Sequence, residues 1–224
     1  MYICSMKFVY PYRRDADDFD IIHSIASVKR VFPTAQCITI GDAVKGIENI
    51  PCPRISTHRG VDVTNKILTF ARSNQGDFIY MNDDFYINER FNVNASLFNG
   101  QLAINSAHAP AYQDASRNSI DFLKHYGFTI HNFECHQPIK MNSEKLITLF
   151  DSIDWKEHNH FIKSIYLNVH LPELIEGVNV KLKDDNLFMA NSYLNAYGCF
   201  STSDAFKSQN GVRFIKNLIE SQCS

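Results

Sequence analysis

The feature that most constrains this chain is an apolar run that ends in two acids. Residues 78–81 read Phe-Ile-Tyr-Met, which is typical of a strand buried on both faces. The next three residues are Asn82, Asp83 and Asp84. Ligands of open α/β sheets bind outside the carboxyl ends of the strands. The sequence therefore predicts two carboxylates at the ligand-binding edge of a central strand.

The residues before this run predict an alternation of strands and helices. Residues 7–10 predict a first strand, ended by Pro11, and residues 37–40 predict a second. Between them, apolar residues recur at helical spacing behind an acidic cluster that begins at Asp15 and suits the positive end of a helix. A second helix is predicted over residues 62–72. This order of elements is typical of a parallel sheet.

The second half of the chain predicts fewer strands and more helices. A strand is predicted at residues 102–104, and a helix over residues 114–126 ends at Gly127. Further on, the sequence predicts three helices, at residues 143–153, 161–168 and 212–219, and one strand, at residues 178–181. The predicted fold class is α/β, with a mostly parallel central sheet flanked by helices and a helix-rich C-terminal portion.

Composition excludes some classes of function. The chain has 22 Lys and Arg against 24 Asp and Glu, so it lacks the basic excess of proteins that bind duplex nucleic acid mainly through phosphates. Its six cysteines form no CxxC pair, which argues against a zinc knuckle or a redox motif. No signal peptide and no membrane span is predicted. We expect a cytoplasmic protein with reduced thiols.

The acidic run allows two interpretations. Carboxylate oxygens suit Mg²⁺ or Mn²⁺, and such an ion can hold a diphosphate and neutralise the charge that develops as it leaves. Asn and Asp are also common in tight turns, so the same residues could simply join two strands of a hairpin. The local pattern alone leaves both interpretations open.

Four segments, in order, resemble a known family. Residues 76–87, which contain the acidic run, resemble the acidic-motif segment of small phage and bacterial sugar transferases related to the Stealth family of capsular polysaccharide enzymes. Residues 134–139, followed by Lys145 and Leu146, are similar to the His-x-Pro segment of that family. Residues 163–168 resemble its basic-Ser-aliphatic-Tyr-x-Asn segment. Residues 179–185 resemble its short strand near an acidic turn.

The resemblance implies a fold, an activity and a division of the chain. Members of that family share the GT-A fold of nucleotide-sugar transferases. It implies a metal-dependent glycosyltransferase that uses Mn²⁺ or Mg²⁺ and a nucleoside-diphosphate sugar, with UDP as the expected nucleotide. We expect one domain over residues 1–224, with a nucleotide-sugar-binding part at residues 1–135 and a helix-rich acceptor part at residues 136–224.

The resemblance also implies a set of site residues. Asp84, Asp83 and His136 would bind the metal, and the catalytic residues would be Asp84, His136 and, as an acceptor base, Asp185 of the pair with Asp184. The donor would be bound by Tyr10, Tyr12, Arg13, Asp42, Asn65, Lys66, Asn82 and Asp83. His136 could instead act as a base, because the pKa of an unperturbed imidazole lies near neutrality.

Each of these residues also has an ordinary structural interpretation. Tyr10 could belong to the core, Arg13 and Lys66 could be solvated, and Asp42 could be a turn residue. His108 is a lesser candidate for the site, and Tyr166 and Asn168 could only pack a helix.

The acceptor is inferred from the relatives alone. Phages decorate hydroxymethylated pyrimidines of their own DNA with sugars, so we predict hydroxymethylcytosine in phage DNA as the acceptor, in a host cytoplasm. A local basic face could bind this DNA, through Lys29 with Arg30, His58 with Arg59, or Lys207 with Arg213.

Two other functions remain open. The full Stealth enzymes are longer and transfer a sugar phosphate, so simple glycosyl transfer is preferred over sugar-phosphate or glycosyl transfer in surface polysaccharide synthesis. The other alternative is a non-catalytic nucleotide or nucleic-acid binding module. It requires the acidic run to be a hairpin turn.

Overall fold

A computed structural model describes residues 6–14 and 17–220. The strands are β1 Lys7–Tyr12, β2 Gln36–Gly41, β3 Glu48–Ile50, β4 Asp77–Tyr80, β5 Phe85–Ile87, β6 Ala95–Phe98, β7 Ile139–Asn142, β8 Glu173–Glu176, β9 Lys181–Leu182 and β10 Cys199–Thr202. The helices are α1 Phe19–Val31, α2 Arg59–Ser73, α3 Pro110–His125, α4 Ser143–Phe150, α5 Ile162–His170, α6 Leu187–Tyr197 and α7 Gln209–Glu220. A short 3₁₀ turn spans Asp204–Phe206.

The main sheet has the strand order β3-β2-β1-β4-β7. The first four strands are parallel, and only β7 runs antiparallel, beside β4. The predicted mixed α/β class with a mainly parallel sheet is therefore confirmed. The three strands around residues 7–10, 37–40 and 78–81 are also confirmed, and they lie next to one another.

Pro11 does not end β1, which contradicts the sequence-based expectation. The backbone of Val9 accepts a hydrogen bond from Met81, just past the end of β4, at 2.9 Å. Pro11 lies two residues after Val9, so its backbone points toward β4 as that of Val9 does. At this level β4 has already ended. The missing N–H of Pro11 therefore costs no hydrogen bond to β4, and the pairing of β1 with β2 continues to Tyr12.

Helices cover both faces of the sheet. Helix α1 packs its apolar side on one face, where Phe8 and Tyr10 of β1 contribute to the same core as Ile25. Helices α2, α4 and α5 pack on the other face, against Val9 of β1 and Phe78 of β4. The C-terminal helices α4 and α5 thus share a core with the N-terminal strands.

Two small sheets extend the molecule beyond β4. Strands β5, β10 and β9 form one of them, with β10 in the centre, and β6 pairs with β8 in the other. A third core lies between the first small sheet and helices α6 and α7. These strands bring C-terminal residues close to the end of β4.

Several sequence-based expectations for the second half need correction. Residues 102–104 form no strand, apart from one bridge at the adjacent Gln101, and β6 lies earlier. The C-terminal third contains more strands than the one expected at residues 178–181, because β8 and β10 also pair there. The three expected helices are present as α4, α5 and α7, and α3 begins at Pro110, a favoured first helical residue. Asp15, expected at the start of α1, lies outside the described residues.

None of the helices among the described residues combines the length and apolar character needed to cross a bilayer. Four cysteines in this part of the chain are free and buried, namely Cys37, Cys52, Cys135 and Cys199. Cys4 and Cys223 lie outside it.

Candidate active site

A cavity of about 460 Å³ opens where β1 and β4 end. These strands are parallel neighbours, so their carboxyl ends meet at one edge of the sheet. The walls come from the residues that follow the two strands, from the N-terminal end of α2, and from the segments that precede β7 and α5. This is the edge at which open α/β sheets bind their ligands.

Asp84 is held in place by residues that are distant in sequence. Its Oδ2 atom accepts hydrogen bonds from Lys181 Nζ, in an ion pair, and from Ser201 Oγ at 3.1 Å. Its backbone oxygen accepts from Thr202 N at 3.2 Å. Its Oδ1 atom is buried and has no hydrogen-bond partner among the described residues. One carboxylate oxygen is therefore fixed and the other is left available.

Asp83 and Asn82 also line the cavity. Burial, together with the charge of Asp84, raises the pKa of Asp83 to about 6, and Arg59 opposes the rise. Two adjacent carboxylates that repel each other in this way favour a bound cation. Asn82 Oδ1 accepts a hydrogen bond from Tyr80 hydroxyl at 2.7 Å, which orients the amide.

His136 lines the same cavity and has a left-handed backbone, with φ of 52°. Its Nδ1 lies 3.0 Å from Asn179 Oδ1. An amide oxygen only accepts, so Nδ1 carries the proton and Nε2 keeps a lone pair. Burial lowers the pKa of His136 to about 4, and Lys163 and Lys181 lower it too. A neutral imidazole with a free Nε2 is the form that binds metals.

Arg13 and Lys66 reach the cavity from β1 and α2. Lys66 Nζ forms an ion pair with Asp62 Oδ2 at 3.0 Å and donates to Tyr12 O at 3.1 Å. Both side chains of this pair are more than nine-tenths buried. Lys66 is therefore a fixed positive charge beneath the end of β1.

Tyr10 and Tyr12, which the resemblance assigned to donor binding, do not line the cavity. Their side chains are buried on the α1 face of the sheet. Tyr12 hydroxyl donates to Asp18 Oδ1 at 2.6 Å. Side chains alternate along a strand, so the residues of β1 that face the cavity side are Val9 and Pro11, and Arg13 follows them.

Three more candidates lie away from the cavity walls. Asp42 is exposed and accepts from Arg14 N at 2.8 Å. Asn65 precedes Lys66 in α2, and consecutive helical residues point in different directions. The side chain of Asn65 therefore turns away from the cavity and donates to Cys52 Sγ at 3.2 Å. Asp185 is exposed in the turn before α6. Its predicted role as an acceptor base has no support in its position.

The lesser candidates have mainly structural contacts. Tyr166 hydroxyl accepts from Asn142 N at 2.8 Å and joins α5 to β7. The buried Asn168 donates to His131 O at 2.8 Å. His108 is exposed beside Tyr112, with ring centroids 4.6 Å apart.

Sequence reasoning missed several cavity residues. Lys181, Lys163 and Glu134 belong to segments that the resemblance singled out, but no role was assigned to them. Lys163 Nζ lies 3.4 Å from Glu134 Oε2. Arg59 was noted only as part of a basic pair with His58. Tyr112 lies just before the helix predicted over residues 114–126, and nothing in the local sequence marked it as a site residue. Their positions depend on how α2 and α3 pack, which local patterns do not encode.

The donor set fits a divalent ion that also binds a diphosphate. Among the described residues, no cluster of three or more His, Cys, Asp and Glu side chains could hold a metal ion alone. Mg²⁺ sites typically use one or two carboxylates and complete the shell with substrate phosphates and water. Asp84 Oδ1, with no other partner in this region, and the neutral His136 suit such a shared site.

Comparisons with known proteins show likeness at the level of fold. No protein-family model matches the chain, and no curated protein matches it. The galactosyltransferase LgtC, solved with donor and acceptor sugar analogues, is 12% identical with a TM-score of 0.49, over 98% of this chain and 97% of that chain.

Two further structures show a similar degree of likeness. The apo glycosyltransferase GlyE of Streptococcus pneumoniae is 9% identical with a TM-score of 0.45, and the match covers 97% of this chain but 61% of GlyE. The inositol-1-phosphate CTP transferase of T. maritima is 9% identical with a TM-score of 0.49, over 98% of both chains. Likeness at this level does not establish an activity for this chain.

Proposed function

We propose that this chain is a GT-A-like, metal-dependent glycosyltransferase. It would take a sugar from a nucleoside-diphosphate sugar, with UDP as the first nucleotide to test, and transfer it to an acceptor hydroxyl. The observation that carries the proposal is the pair Asp83 and Asp84 at the end of β4, facing a cavity rich in cations. The cavity and the two carboxylates lie together at the edge of the sheet where open α/β sheets bind their ligands.

The charges of the cavity walls favour a diphosphate. The described wall residues include six cations, Arg13, Arg54, Arg59, Lys66, Lys163 and Lys181, and four acids, Asp62, Asp83, Asp84 and Glu134. This is a formal excess of two positive charges in a chain whose net charge is −2. A local positive field of this kind favours an anionic ligand.

Arg59 is well placed to meet a phosphate group. The three wall lysines each pair with a wall acid, whereas the side chain of Arg59 forms no ion pair or hydrogen bond with the residues that the structure describes. It is also the first residue of α2, a helix of 15 residues, whose N-terminal end carries a partial positive charge. Arg59 and this helix end would bind the same phosphate.

Asp84, with Asp83 and His136 in the same cavity, would share a divalent ion, Mn²⁺ or Mg²⁺, with the phosphates of the donor. When bound, such an ion supplies positive charge to the departing diphosphate. Asp84 keeps its orientation through Lys181 and Ser201, so its Oδ1 atom is presented in a fixed direction. Pre-arranged groups of this kind stabilise developing charge without a cost of reorganisation.

The remaining wall residues would position the reacting groups. Lys66, fixed by Asp62 and Tyr12, and Arg59 neutralise the diphosphate as the bond to the sugar breaks. The acceptor oxygen would form the new bond to the anomeric carbon, and the electron pair of the old bond would leave with the diphosphate. The acceptor hydroxyl would lose its proton, which ends on the released diphosphate or in water. Arg13 would lie beside the nucleotide.

The acceptor predicted from the phage relatives is hydroxymethylcytosine in DNA, and it stays a prediction. Two residues of the suggested basic face are engaged in ion pairs. Arg30 lies 2.8 Å from Glu89 and Lys207 lies 2.7 Å from Asp20. This reduces their contribution to a basic surface.

A thermal-shift screen tests the proposal. Ligands that bind only the folded state raise its apparent stability with concentration. We expect one nucleoside diphosphate among UDP, GDP, ADP, CDP and dTDP to raise the melting temperature, and to do so more strongly with Mn²⁺. If no nucleoside diphosphate stabilises the protein with or without Mn²⁺, the proposal fails. Stabilisation that is equal in both conditions would contradict the metal dependence alone.

A further inference from the structure

One part of the cavity, which we call its limb, is lined by the aromatic rings of Tyr112 and Phe161. Tyr112, in the first turn of α3, and Phe161, just before α5, both line it, and their ring centroids lie 4.6 Å apart. Burial raises the pKa of the Tyr112 hydroxyl, and the charge of Glu134 raises it too. Glu134 lines the same cavity.

Hydrogen bonds fix the segment before α5 to helix α3. Phe161 N donates to Ser119 Oγ of α3 at 2.9 Å. Asn159 donates through Nδ2 to Ala111 O at 3.0 Å and accepts at its backbone oxygen from Asn118 Nδ2, also at 3.0 Å. The rings are thus carried by rigid elements, which favours a preformed binding site.

A second cavity of about 300 Å³ lies beside this limb. Ala111 and Asn159 line both cavities and are joined by a hydrogen bond from Asn159 Nδ2 to Ala111 O at 3.0 Å, so they form the wall between them. A ligand held against the two rings therefore lies next to the second cavity.

Polar groups accompany the rings. Tyr112 hydroxyl has no hydrogen bond to any residue in the described ranges. Glu134 Oε1 accepts from Ser164 Oγ at 2.9 Å, whereas the one contact of Oε2 within the described part of the chain is with Lys163 Nζ at 3.4 Å. Burial lowers the pKa of His160 to about 4, so its imidazole is neutral. These groups can exchange hydrogen bonds with hydroxyls around a ring.

The charge of the second cavity disfavours a polyanion. Its described walls carry one lysine, Lys156, against Asp114 and Glu157. Duplex DNA needs cations along its path, because phosphate contacts supply most of its sequence-independent affinity. A neutral ligand meets no such requirement here.

We propose that this limb, formed by Glu134, Tyr112 and Phe161, is the acceptor subsite and takes a neutral carbohydrate. An aromatic face packs against the C–H face of a pyranose, and the polar groups bind the hydroxyls at its edge. Glu134 Oε2 accepts a hydrogen bond from the hydroxyl that receives the sugar. The inference deepens the proposed function and rests on it.

Saturation-transfer NMR on the full chain tests this subsite. The probes are lactose, maltose, cellobiose and a panel of methyl pyranosides, each with saturating UDP and the diamagnetic ion Mg²⁺, and a duplex that contains hydroxymethylcytosine. The variants are Tyr112→Leu, which keeps apolar volume but removes the ring, and the control Tyr126→Leu, at an exposed tyrosine beyond the other end of α3. Circular dichroism and the melting temperature verify that both variants fold.

We expect at least one of these sugars to bind. Tyr112→Leu should weaken that binding roughly tenfold, which corresponds to about 1.4 kcal/mol, and Tyr126→Leu should leave it unchanged. The UDP-induced thermal shift should be the same in both variants and the wild type.

Three results would overturn the proposal: no sugar binds, both variants affect sugar binding equally, or the duplex binds in a Tyr112-dependent manner and the sugars do not. Failure of the proposed function looks different, because UDP would then give no thermal shift while Tyr112-dependent sugar binding persisted without it.

Discussion

Asp83 and Asp84 are neighbours in sequence but differ in their surroundings. Asp84 is neutralised by Lys181, whereas Asp83 is buried near a like charge, and its pKa is raised to about 6. Placing a carboxylate in such a position costs stability. The pair is therefore explained by ligand binding better than by folding.

Replacement of Asp83 by Asn should stabilise the unliganded protein near neutral pH. A raised pKa means that the folded state binds this proton more tightly than the unfolded state does. The stabilising effect of protonation is complete below about pH 4 and is lost as pH rises through about 6. At about pH 7.5, Asp83→Asn should raise the free energy of unfolding by roughly 1–2 kcal/mol.

Urea unfolding between about pH 4 and 8 measures this effect. The gain should disappear toward pH 4, and Asp185→Asn, at an exposed acid, should show no gain at any pH. A loss of stability in Asp83→Asn at pH 7.5 would contradict the electrostatic account of this residue.

At the scale of single residues, the sequence located the acidic half of the site better than the basic half. The structure brings Asn82, Asp83, Asp84 and His136 to one cavity, as predicted. Lys181 was missed because it lies 97 residues after its partner Asp84, and no local pattern reports such a pairing.

At the scale of elements, strand alternation decided which side chains face the cavity. Tyr10 and Tyr12 have the aromatic character of a nucleotide-binding residue, but they share a face with α1. The clear periodicity of α1 and α2 made those helices predictable. Strands β9 and β10 are short, and their pairing with distant segments defines them.

Gly198 links helix α6 to β10 and thereby to the site. It has φ of 71°, and a Cβ atom there would lie 2.2 Å from Phe91 N. Gly127 has nearly the same φ, 70°, and a Cβ atom there would meet nothing within 4 Å. A substitution at Gly127 therefore measures backbone strain alone, whereas one at Gly198 measures strain together with steric overlap.

Gly198→Ala should destabilise the protein much more than Gly127→Ala. The left-handed backbone costs about 1–2 kcal/mol in both variants, and overpacking adds roughly 1–3 kcal/mol in Gly198→Ala alone. Urea unfolding of the two variants measures the difference. Equal losses would show that the contact with Phe91 is relieved at no cost.

At the scale of the whole molecule, the site lies where the main sheet meets the small C-terminal sheet. Strands β1 and β4 supply the ligand-binding edge, and β9 and β10 supply Lys181 and Ser201. The order of elements predicted the first contribution. The second depends on long-range packing, which a single sequence does not reveal.

Calorimetric titration of UDP into the protein with Mn²⁺ tests the central claim most directly. Asp84→Asn keeps the shape of the side chain but removes the charge that Lys181 holds in place. We expect UDP to bind the wild type, and this variant to bind at least about tenfold more weakly, a difference of about 1.4 kcal/mol. The same weakening should appear when Mn²⁺ is chelated. Equal affinity of the wild type and Asp84→Asn, or no binding by either, would contradict a donor site at the end of β4.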